Sequence, residues 1–350
     1  MKVLFVGGNG NISWHCVEAS IALGYEVTIL LRGATRLTRR APNPLTKIIY
    51  CDIRNADEVT SALVDLKYDV VCDFLCYSEE HARAAYKLFK GKVGQYIFIS
   101  SVVVYKRPCS SLPFKENSIK YSGSEYPYAS DKLAAESYFI SKFRDEGFPV
   151  TIVRPAHTYD TIIPSPLGHN CFTAVDRYLR GLPILIAGDG TNLWSLCHSA
   201  DFAEGLLSLF GCTSSIGEDY HITGDEWLSW LEISSQISDV LSLDNPRVIP
   251  VPAAEVLKIQ VPPSKNLAIS YLGKAFKGQR MWCDIYDNTK IINVSKGWKC
   301  KIKFREGFRM TIDWLNEDPV RKRINSELDA ILEDLTVRFD YLGYNLNEIF

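Results

Sequence analysis

The stretch MKVLFVGGNGNIS, residues 1–13, decides the fold, because a short apolar run leads directly into a turn with glycines at positions 7, 8 and 10. Glycines between a strand and a helix let the backbone approach a pyrophosphate, and the helix that follows presents free N–H groups. Ser13 replaces the third glycine of such a motif and is small enough to pack there. The sequence therefore predicts a dinucleotide-binding turn that includes Gly7, Gly10, Asn11 and Ile12.

Beyond this turn, short β-branched runs alternate with helical stretches, which is the pattern of a parallel sheet wound with crossover helices. Several runs are apolar throughout, as expected of strands covered on both faces. Strands are predicted at Lys2–Val6, Glu26–Leu31, Lys47–Cys51, Asp69–Leu75, Gln95–Ser100 and Val150–Arg154. Helices are predicted near Ile12–Leu23, Ala56–Leu66, Glu79–Phe89, Tyr128–Phe143, Glu306–Asn316 and Pro319–Asp334. The fold class is α/β, a doubly wound parallel (Rossmann) sheet.

A length of 350 residues exceeds what one hydrophobic core usually organises. The alternation loosens after Pro155, where Pro164, Pro166 and Gly168 mark an irregular connection. We expect a dinucleotide-binding domain over 1–165 and a smaller, mainly helical, C-terminal substrate lobe over 166–350. A short strand near 220–223 is expected to return to the first sheet.

Composition excludes several classes of protein. Hydrophobic residues make up 47% and charged residues 23%, which are globular values, and 39 basic against 41 acidic side chains give a net charge of −2. No global field recruits nucleic acid or an anionic membrane, and no apolar run approaches the ~18–20 residues of a membrane helix. Because the sequence enters its first strand at once, we expect no secretory leader. The sequence thus predicts a cytoplasmic protein with a small-molecule substrate, with a homodimer left open.

The end of the second strand bears on the choice of cofactor. That strand ends TILLRG, with Arg32 and then Arg36 and without a carboxylate. A guanidinium suits a 2′-phosphate, which predicts NADP, although a solvated surface arginine would leave NAD possible. After the third strand, Asp52 and Ile53 are placed to line the adenine, and Asp52 could equally begin the next helix.

A tyrosine and a lysine with catalytic spacing lie in YPYASDKLAAES. Tyr128 and Lys132 are four residues apart at the start of a predicted helix, so they share one face. An ammonium near a phenol favours the phenolate, which lets a tyrosine act as a base near neutrality. Ser100 and Ser101 end the strand of IFISSVVVY, at the sheet edge where such folds bind ligands.

Several motifs follow one another in an order that resembles the extended short-chain dehydrogenase/reductases, the NAD(P)-dependent epimerase/dehydratase superfamily. In chain order they are GGNG, Asp52, SSVVVY, Tyr128-x-x-x-Lys132, IVRPAHTY and GDGTNLW. The resemblance implies that Tyr128 is the general acid/base, that Lys132 holds the ribose hydroxyls and lowers the tyrosine pKa, and that Ser101 polarises the substrate oxygen. It also implies cofactor contacts at Cys76, Pro155 and His157, and substrate contacts at Tyr77, Ser101, Val102, Tyr159, Asn170, Trp194 and His198. Cys76 and Tyr77 could equally belong to the core.

Three departures from that family's pattern make the chain atypical. Trp194 stands where nucleotide-sugar members often carry a diphosphate-binding arginine, and it either stacks on a ligand or packs in the core. Asp160 replaces a glycine, and Val102 and Val103 replace the Asp-Glu pair that 4,6-dehydration needs. His157 and His198 have no partners at metal-ligand spacing, so no metal is predicted.

The sequence therefore predicts an NAD(P)-dependent oxidoreductase or epimerase that transfers a hydride at a hydroxyl or keto carbon of a sugar or nucleotide sugar. A reductase of a non-sugar ketone remains an alternative. Another is a non-catalytic dinucleotide-binding regulatory or RNA-associated protein of the atypical branch. The intact trio of Ser101, Tyr128 and Lys132 favours an enzyme, because a pure binding protein has no need of it.

Overall fold

The computed structural model describes residues 1–33, 39–64, 66–121, 123, 126–165, 167, 172–244, 246–258 and 276–349. The chain forms two compact units. The first comprises Met1–Thr158, Cys197–Asp225 and Tyr286–Lys301, and the second comprises Tyr159–Leu196, Glu226–Ile285 and Ile302–Phe350. The units interleave along the chain, whereas the sequence predicted one boundary near residue 165 and a return only near 220–223.

The described strands and helices are as follows, in chain order. The strands are β1 (Lys2–Val6), β2 (Glu26–Leu31), β3 (Lys47–Tyr50), β4 (Tyr68–Asp73), β5 (Val93–Ile99), β6 (Val150–Pro155), β7 (His157–Tyr159), β8 (Ile184–Ala187), β9 (Leu193–His198), β10 (Asp219–Ile222), β11 (Trp227–Ser229), β12 (Arg247–Val251) and β13 (Tyr344–Asn345). The α-helices are α1 (Ser13–Ala22), α2 (Ala56–Ala62), α3 (Glu79–Phe89), α4 (Pro127–Glu146), α5 (Thr173–Leu179), α6 (Ser199–Leu207), α7 (Trp230–Leu241), α8 (Ala253–Leu257), α9 (Thr289–Val294), α10 (Phe304–Asn316) and α11 (Ser326–Phe339).

Seven strands of the first unit form one sheet in the order β10-β6-β5-β4-β1-β2-β3. All of the neighbouring pairs are parallel. The order reverses between β1 and β4, and ligands of such sheets bind outside the carboxyl ends of the strands at that reversal. The predicted doubly wound parallel sheet is confirmed.

Two element ends differ from the prediction for identifiable reasons. Strand β4 ends at Asp73 because its carboxylate Oδ1 accepts the amide N–H groups of Leu75 (2.7 Å) and Cys76 (2.9 Å), which turns the chain. Helix α4 continues past its predicted end at Phe143 to Glu146. Gly147 then adopts a left-handed conformation at φ +68°, which ends the helix.

The second unit combines helices with short strands that the sequence did not predict. Strand β12 pairs in parallel with β8 and antiparallel with β13, and β9 pairs antiparallel with β11. The helix predicted over Pro319–Asp334 begins only at Ser326, because the side chain of Asn325 caps it by accepting the N–H of Leu328 (2.9 Å). Within the described residues, no helix has the length and apolarity to cross a membrane.

Candidate active site

The glycine turn after β1 packs so closely that side chains would not fit. Gly7 adopts φ +88°, and a Cβ there would lie 2.9 Å from Cγ of Leu75. A Cβ on Gly8 would lie 2.5 Å from Cγ2 of Ile29 in β2. Ser13 stabilises the turn, since its hydroxyl donates to the Gly7 carbonyl (2.5 Å) and accepts the Gly10 N–H (2.8 Å).

The surroundings of this turn fit a pyrophosphate. Ile12 precedes α1 without a side-chain cap, and the first turn of α1 carries no acidic residue, so no carboxylate there opposes an anion. The Asn11 amide donates to the Thr158 carbonyl (2.9 Å), which connects the turn to the segment that follows Pro155 and His157. Arg39 donates to Oδ1 of Asn9 (3.3 Å) and brings a positive charge to the turn.

The end of β3 supplies a second wall of the predicted cofactor site. Asp52 Oδ1 accepts the N–H of Arg54 (2.9 Å), while Asn55, and not Asp52, caps α2. The guanidinium of Arg54 donates to the Leu75 carbonyl, which ties the segment after β3 to the loop after β4. Ile53 packs against the adjoining apolar cluster. Arg32 is exposed directly after β2, and Arg36 lies outside the described residues.

Lys132 is the most deeply buried member of the predicted catalytic set, at 2% exposure. Its Nζ donates to the carbonyls of Cys76 (2.7 Å) and Ile99 (2.8 Å) and lies 4.9 Å from the centre of the Tyr77 ring. Desolvation lowers the pKa of Lys132 to about 8, against the nearby groups of Cys76, Asp73 and Glu136, which raise it. The ammonium has three donors, of which these carbonyls use two.

Tyr128 stands one turn before Lys132 on α4, with the Ser101 side chain near its phenol. The residue is 38% exposed, yet desolvation raises the pKa of its phenol, and Tyr126 and Tyr77 reinforce that rise. The influence of Ser101 opposes this rise and lowers the pKa of Tyr128. The structure thus brings Ser101 and Tyr128 together at the carboxyl edge of the sheet, where a ligand oxygen could contact both.

A buried charged pair that the sequence analysis missed lies on the same helix. Glu136 follows Lys132 by one turn of α4 and pairs with Arg154 of β6 at 2.8 Å. Ser100 donates to the same carboxylate (2.6 Å). The signal was present in the sequence, because an acid at the fourth position after Lys132 shares its helix face, and an arginine closes the apolar run of β6.

The predicted substrate contacts of the second unit lie in its apolar core. Trp194 is 1% exposed, donates its indole N–H to the Trp282 carbonyl (3.2 Å) and packs 5.0 Å from Trp230. Tyr159 is fully buried and donates to the Phe304 carbonyl (3.4 Å). Of the two roles that the sequence left open for Trp194, these contacts favour packing.

The remaining predicted substrate contacts differ in how deeply they are buried. Val102 is 1% exposed and lies in an apolar cluster of the first unit. His198 is also 1% exposed, and its Nδ1 caps α6 by accepting the N–H of Ala200 (3.2 Å). Tyr77 is 43% exposed beside Lys132. Asn170 lies outside the described residues.

Comparisons with known proteins agree with this architecture. The model of a family described as NAD dependent epimerase/dehydratase matches residues 3–222. Among curated proteins, the chain is 26% identical to 2′-dehydrokanamycin reductase of Streptomyces kanamyceticus, over 74% of this chain and 72% of that protein. It is 21% identical to a trifunctional UDP-glucose 4,6-dehydratase/epimerase/reductase of Arabidopsis thaliana, over 91% of this chain but only 48% of that longer protein.

Solved structures share the fold at lower identity. UDP-glucuronic acid 4-epimerase from Bacillus cereus, in complex with NAD, aligns with a TM-score of 0.68 and 18% identity over 92% of this chain and 100% of its own. dTDP-glucose 4,6-dehydratase from Bacillus anthracis, also in complex with NAD, aligns with a TM-score of 0.69 and 18% identity over 91% and 98%. The resemblance inferred from the ordered motifs is therefore confirmed.

Proposed function

Because this chain belongs to the NAD dependent epimerase/dehydratase family, we propose that it transfers a hydride between a bound nicotinamide dinucleotide and a hydroxyl or keto carbon of a sugar or nucleotide sugar. The observation that carries the proposal is the placement of Tyr128 near Ser101 at the carboxyl edge of the sheet, with Lys132 one helical turn away. A protein that only bound a dinucleotide would have no need of this set of three side chains.

Each side chain has a defined task in this proposal. Ser101 donates a hydrogen bond to the substrate oxygen, and Tyr128 gives that oxygen a proton in reduction or takes one in oxidation. Lys132 directs an N–H at the ribose hydroxyls and supplies positive charge. The nicotinamide, when bound, supplies or accepts the hydride at the adjacent carbon. Reduction thus adds one hydride to carbon and one proton to oxygen.

Ketone reduction is the first candidate among the reactions of this family. Val102 and Val103 are buried beside Ser101, at the positions where a dehydratase would need an acid and a base. Neither can move a proton, which supports hydride transfer alone. The curated relative named 2′-dehydrokanamycin reductase supports the same direction.

The preference for NADP over NAD is a separate proposal, and it rests on Arg32. Its side chain is exposed at the end of β2, where a carboxylate would instead accept from a ribose 2′-hydroxyl. The two solved structures named above hold NAD, so the proposal separates this chain from those proteins.

The test begins with purified protein, titrated with NADH and NADPH by the fluorescence of the reduced nicotinamide. The protein is then mixed with free keto sugars and with UDP- and dTDP-linked keto sugars while nicotinamide absorbance and product stereochemistry are followed. A reductase consumes the reduced dinucleotide in proportion to product. Inversion of a sugar centre without net consumption would indicate an epimerase, and dinucleotide binding with no turnover of any probe would favour a non-catalytic protein.

A further inference from the structure

One carboxylate connects the helix that carries Tyr128 and Lys132 to the strand end that carries Ser101. Glu136 of α4 is 3% exposed and receives two parallel hydrogen bonds from Arg154, Nε to Oε1 and Nη2 to Oε2, both at 2.8 Å. Ser100, directly before Ser101, donates to the same Oε1 at 2.6 Å. Such a bidentate pair fixes both the direction and the distance of its partners.

The other side of Arg154 is equally well satisfied. Its Nη1 donates to the Tyr105 hydroxyl (2.9 Å), and its Nη2 lies 2.7 Å from Oδ2 of Asp219. His221 Nδ1 lies 3.1 Å from the Asp287 carbonyl, which can only accept, so Nδ1 carries the hydrogen and Nε2 accepts from Tyr105. Burial lowers the pKa of His221 to about 3, so this ring is neutral near physiological pH.

The position of Glu136 on α4 gives this network a relation to the catalytic set. Glu136 follows Lys132 by four residues and Tyr128 by eight, so the three side chains project from one face of the helix. A shift of Glu136 would therefore move the helix face that presents both catalytic groups, relative to Ser101 at the end of β5.

Glu136 also acts on the charge of Lys132. The groups that face this ammonium are Asp73 and Cys76 from β4 and its loop, Arg54 from the segment after β3, the rings of Tyr77 and Phe98, and Glu136 from its own helix. Desolvation and Arg54 disfavour the ammonium, whereas Cys76, Asp73 and Glu136 favour it. Removal of the Glu136 charge would therefore make Lys132 lose its proton at lower pH.

We propose that Glu136 is a positioning residue: held by Arg154 and bonded to Ser100, it keeps Tyr128 and Lys132 in place relative to Ser101. The inference rests on the proposed function, in which Lys132 binds the ribose of the dinucleotide. It predicts an effect on dinucleotide binding that a purely structural ion pair would not have.

The experiment measures the dissociation constants of NADH and NADPH across a pH series by nicotinamide fluorescence. In the wild type we expect affinity to weaken as the pH rises past about 8, because the pKa of Lys132 lies near that value. Glu136→Gln keeps the shape of the side chain and removes its charge. We expect this variant to bind up to about tenfold more weakly at neutral pH and to lose affinity at a lower pH than the wild type.

Tyr105→Phe is the matched control, since it removes a buried hydroxyl from Arg154 and leaves Glu136 untouched. We expect it to lower the melting temperature while its pH dependence of binding stays that of the wild type. Glu136→Asp restores the charge and should restore the wild-type pH dependence at weaker affinity. If Glu136→Gln does not fold, Glu136→Asp must still bind more weakly than Tyr105→Phe.

The outcomes separate this inference from the proposed function. Normal binding by the wild type, together with an unshifted pH dependence in Glu136→Gln, would overturn the positioning role alone. Equal binding by Glu136→Asp and Tyr105→Phe would do the same. A wild type that bound neither NADH nor NADPH would overturn the proposed function and this inference with it.

Discussion

The carboxyl edge of the seven-stranded sheet and the aromatic core of the second unit both hold residues that the sequence analysis selected. The two regions differ in how exposed these side chains are and in what their polar atoms bond to. At the sheet edge, Tyr128 and Tyr77 keep about two fifths of their surface exposed, at 38% and 43%. In the aromatic core, Trp194 and Tyr159 are at most 1% exposed, and each donates its polar hydrogen to a backbone carbonyl. A side chain whose polar group is satisfied by its own chain contributes to packing, whereas an exposed one can meet a ligand.

The largest effect that would test this contrast is on turnover. Tyr128→Phe removes the proton that the proposed mechanism transfers, so we expect the rate to fall ~10²–10⁴-fold, with melting temperature and dinucleotide affinity close to the wild type. The measurement is the initial rate of nicotinamide oxidation with the best substrate of the keto-sugar screen. Tyr138→Phe, on the same helix but packed against Tyr86, is the control and should retain its rate. A Tyr128→Phe rate above about a tenth of the wild type would remove Tyr128 from the acid/base role.

The aromatic core should show the opposite result. Trp194→Ala leaves a cavity beside Trp230, and we expect it to lower the free energy of unfolding by ~3–5 kcal/mol without changing dinucleotide affinity. Urea denaturation followed by circular dichroism measures the loss, and Trp194→Phe, which keeps a ring, should lose less. If Trp194→Ala instead kept its stability and raised KM for the substrate, Trp194 would be a ligand contact and the contrast would fail.

The two regions also differ in how far the sequence could predict them. The placement of the glycine turn between β1 and α1, and of Tyr128 and Lys132 on α4, could be predicted because it depends on residues a few positions apart. The packing of Trp194 depends on a hydrogen bond to the Trp282 carbonyl, 88 residues away. That of Tyr159 depends on a hydrogen bond to the Phe304 carbonyl, 145 residues away. No local pattern encodes which distant backbone carbonyl will cover an aromatic side chain.

Unpredicted strands have the same physical origin. Strand β8 pairs with β12, a distant segment of the chain, which places Val248 opposite Ile184. The short apolar run of β8 therefore gives no local indication of a sheet. The pair of Glu136 and Arg154 joins α4 to β6 in the same way. By contrast, much of the first sheet was predictable, because β1, β3, β4 and β5 are each followed by a helix before the next strand.

A smaller effect should come from the cofactor end of the sheet edge. Arg32→Asp places a carboxylate at the end of β2, which repels a 2′-phosphate and accepts from a 2′-hydroxyl, so we expect the ratio of NADPH to NADH affinity to fall by roughly tenfold or more. Fluorescence titration of both dinucleotides measures it. Lys67→Asp makes the same charge change directly before β4, at the amino end of that strand, and should leave the affinity ratio unchanged. Equal or tighter NADH binding by the wild type would assign Arg32 to the solvated surface.

The smallest expected effect concerns Ser13, in the glycine turn at the carboxyl edge of the sheet. Like the polar groups of the aromatic core, its buried hydroxyl is bonded to backbone atoms of its own chain. It is 1% exposed and bridges the Gly7 carbonyl and the Gly10 N–H.

Ser13→Ala removes the bridge and keeps the Cβ, whereas Ser13→Gly removes both and introduces the family's usual residue. If the bridge preorganises the turn, both variants should bind NADPH about two- to tenfold more weakly, as expected for the loss of hydrogen bonds worth ~0.5–1.5 kcal/mol each. Titration of the two variants beside the wild type decides the matter. Tighter binding by Ser13→Ala would mean that the freed Gly10 N–H is worth more to a pyrophosphate than to the serine, and that the hydroxyl competes with the ligand instead of preparing its site.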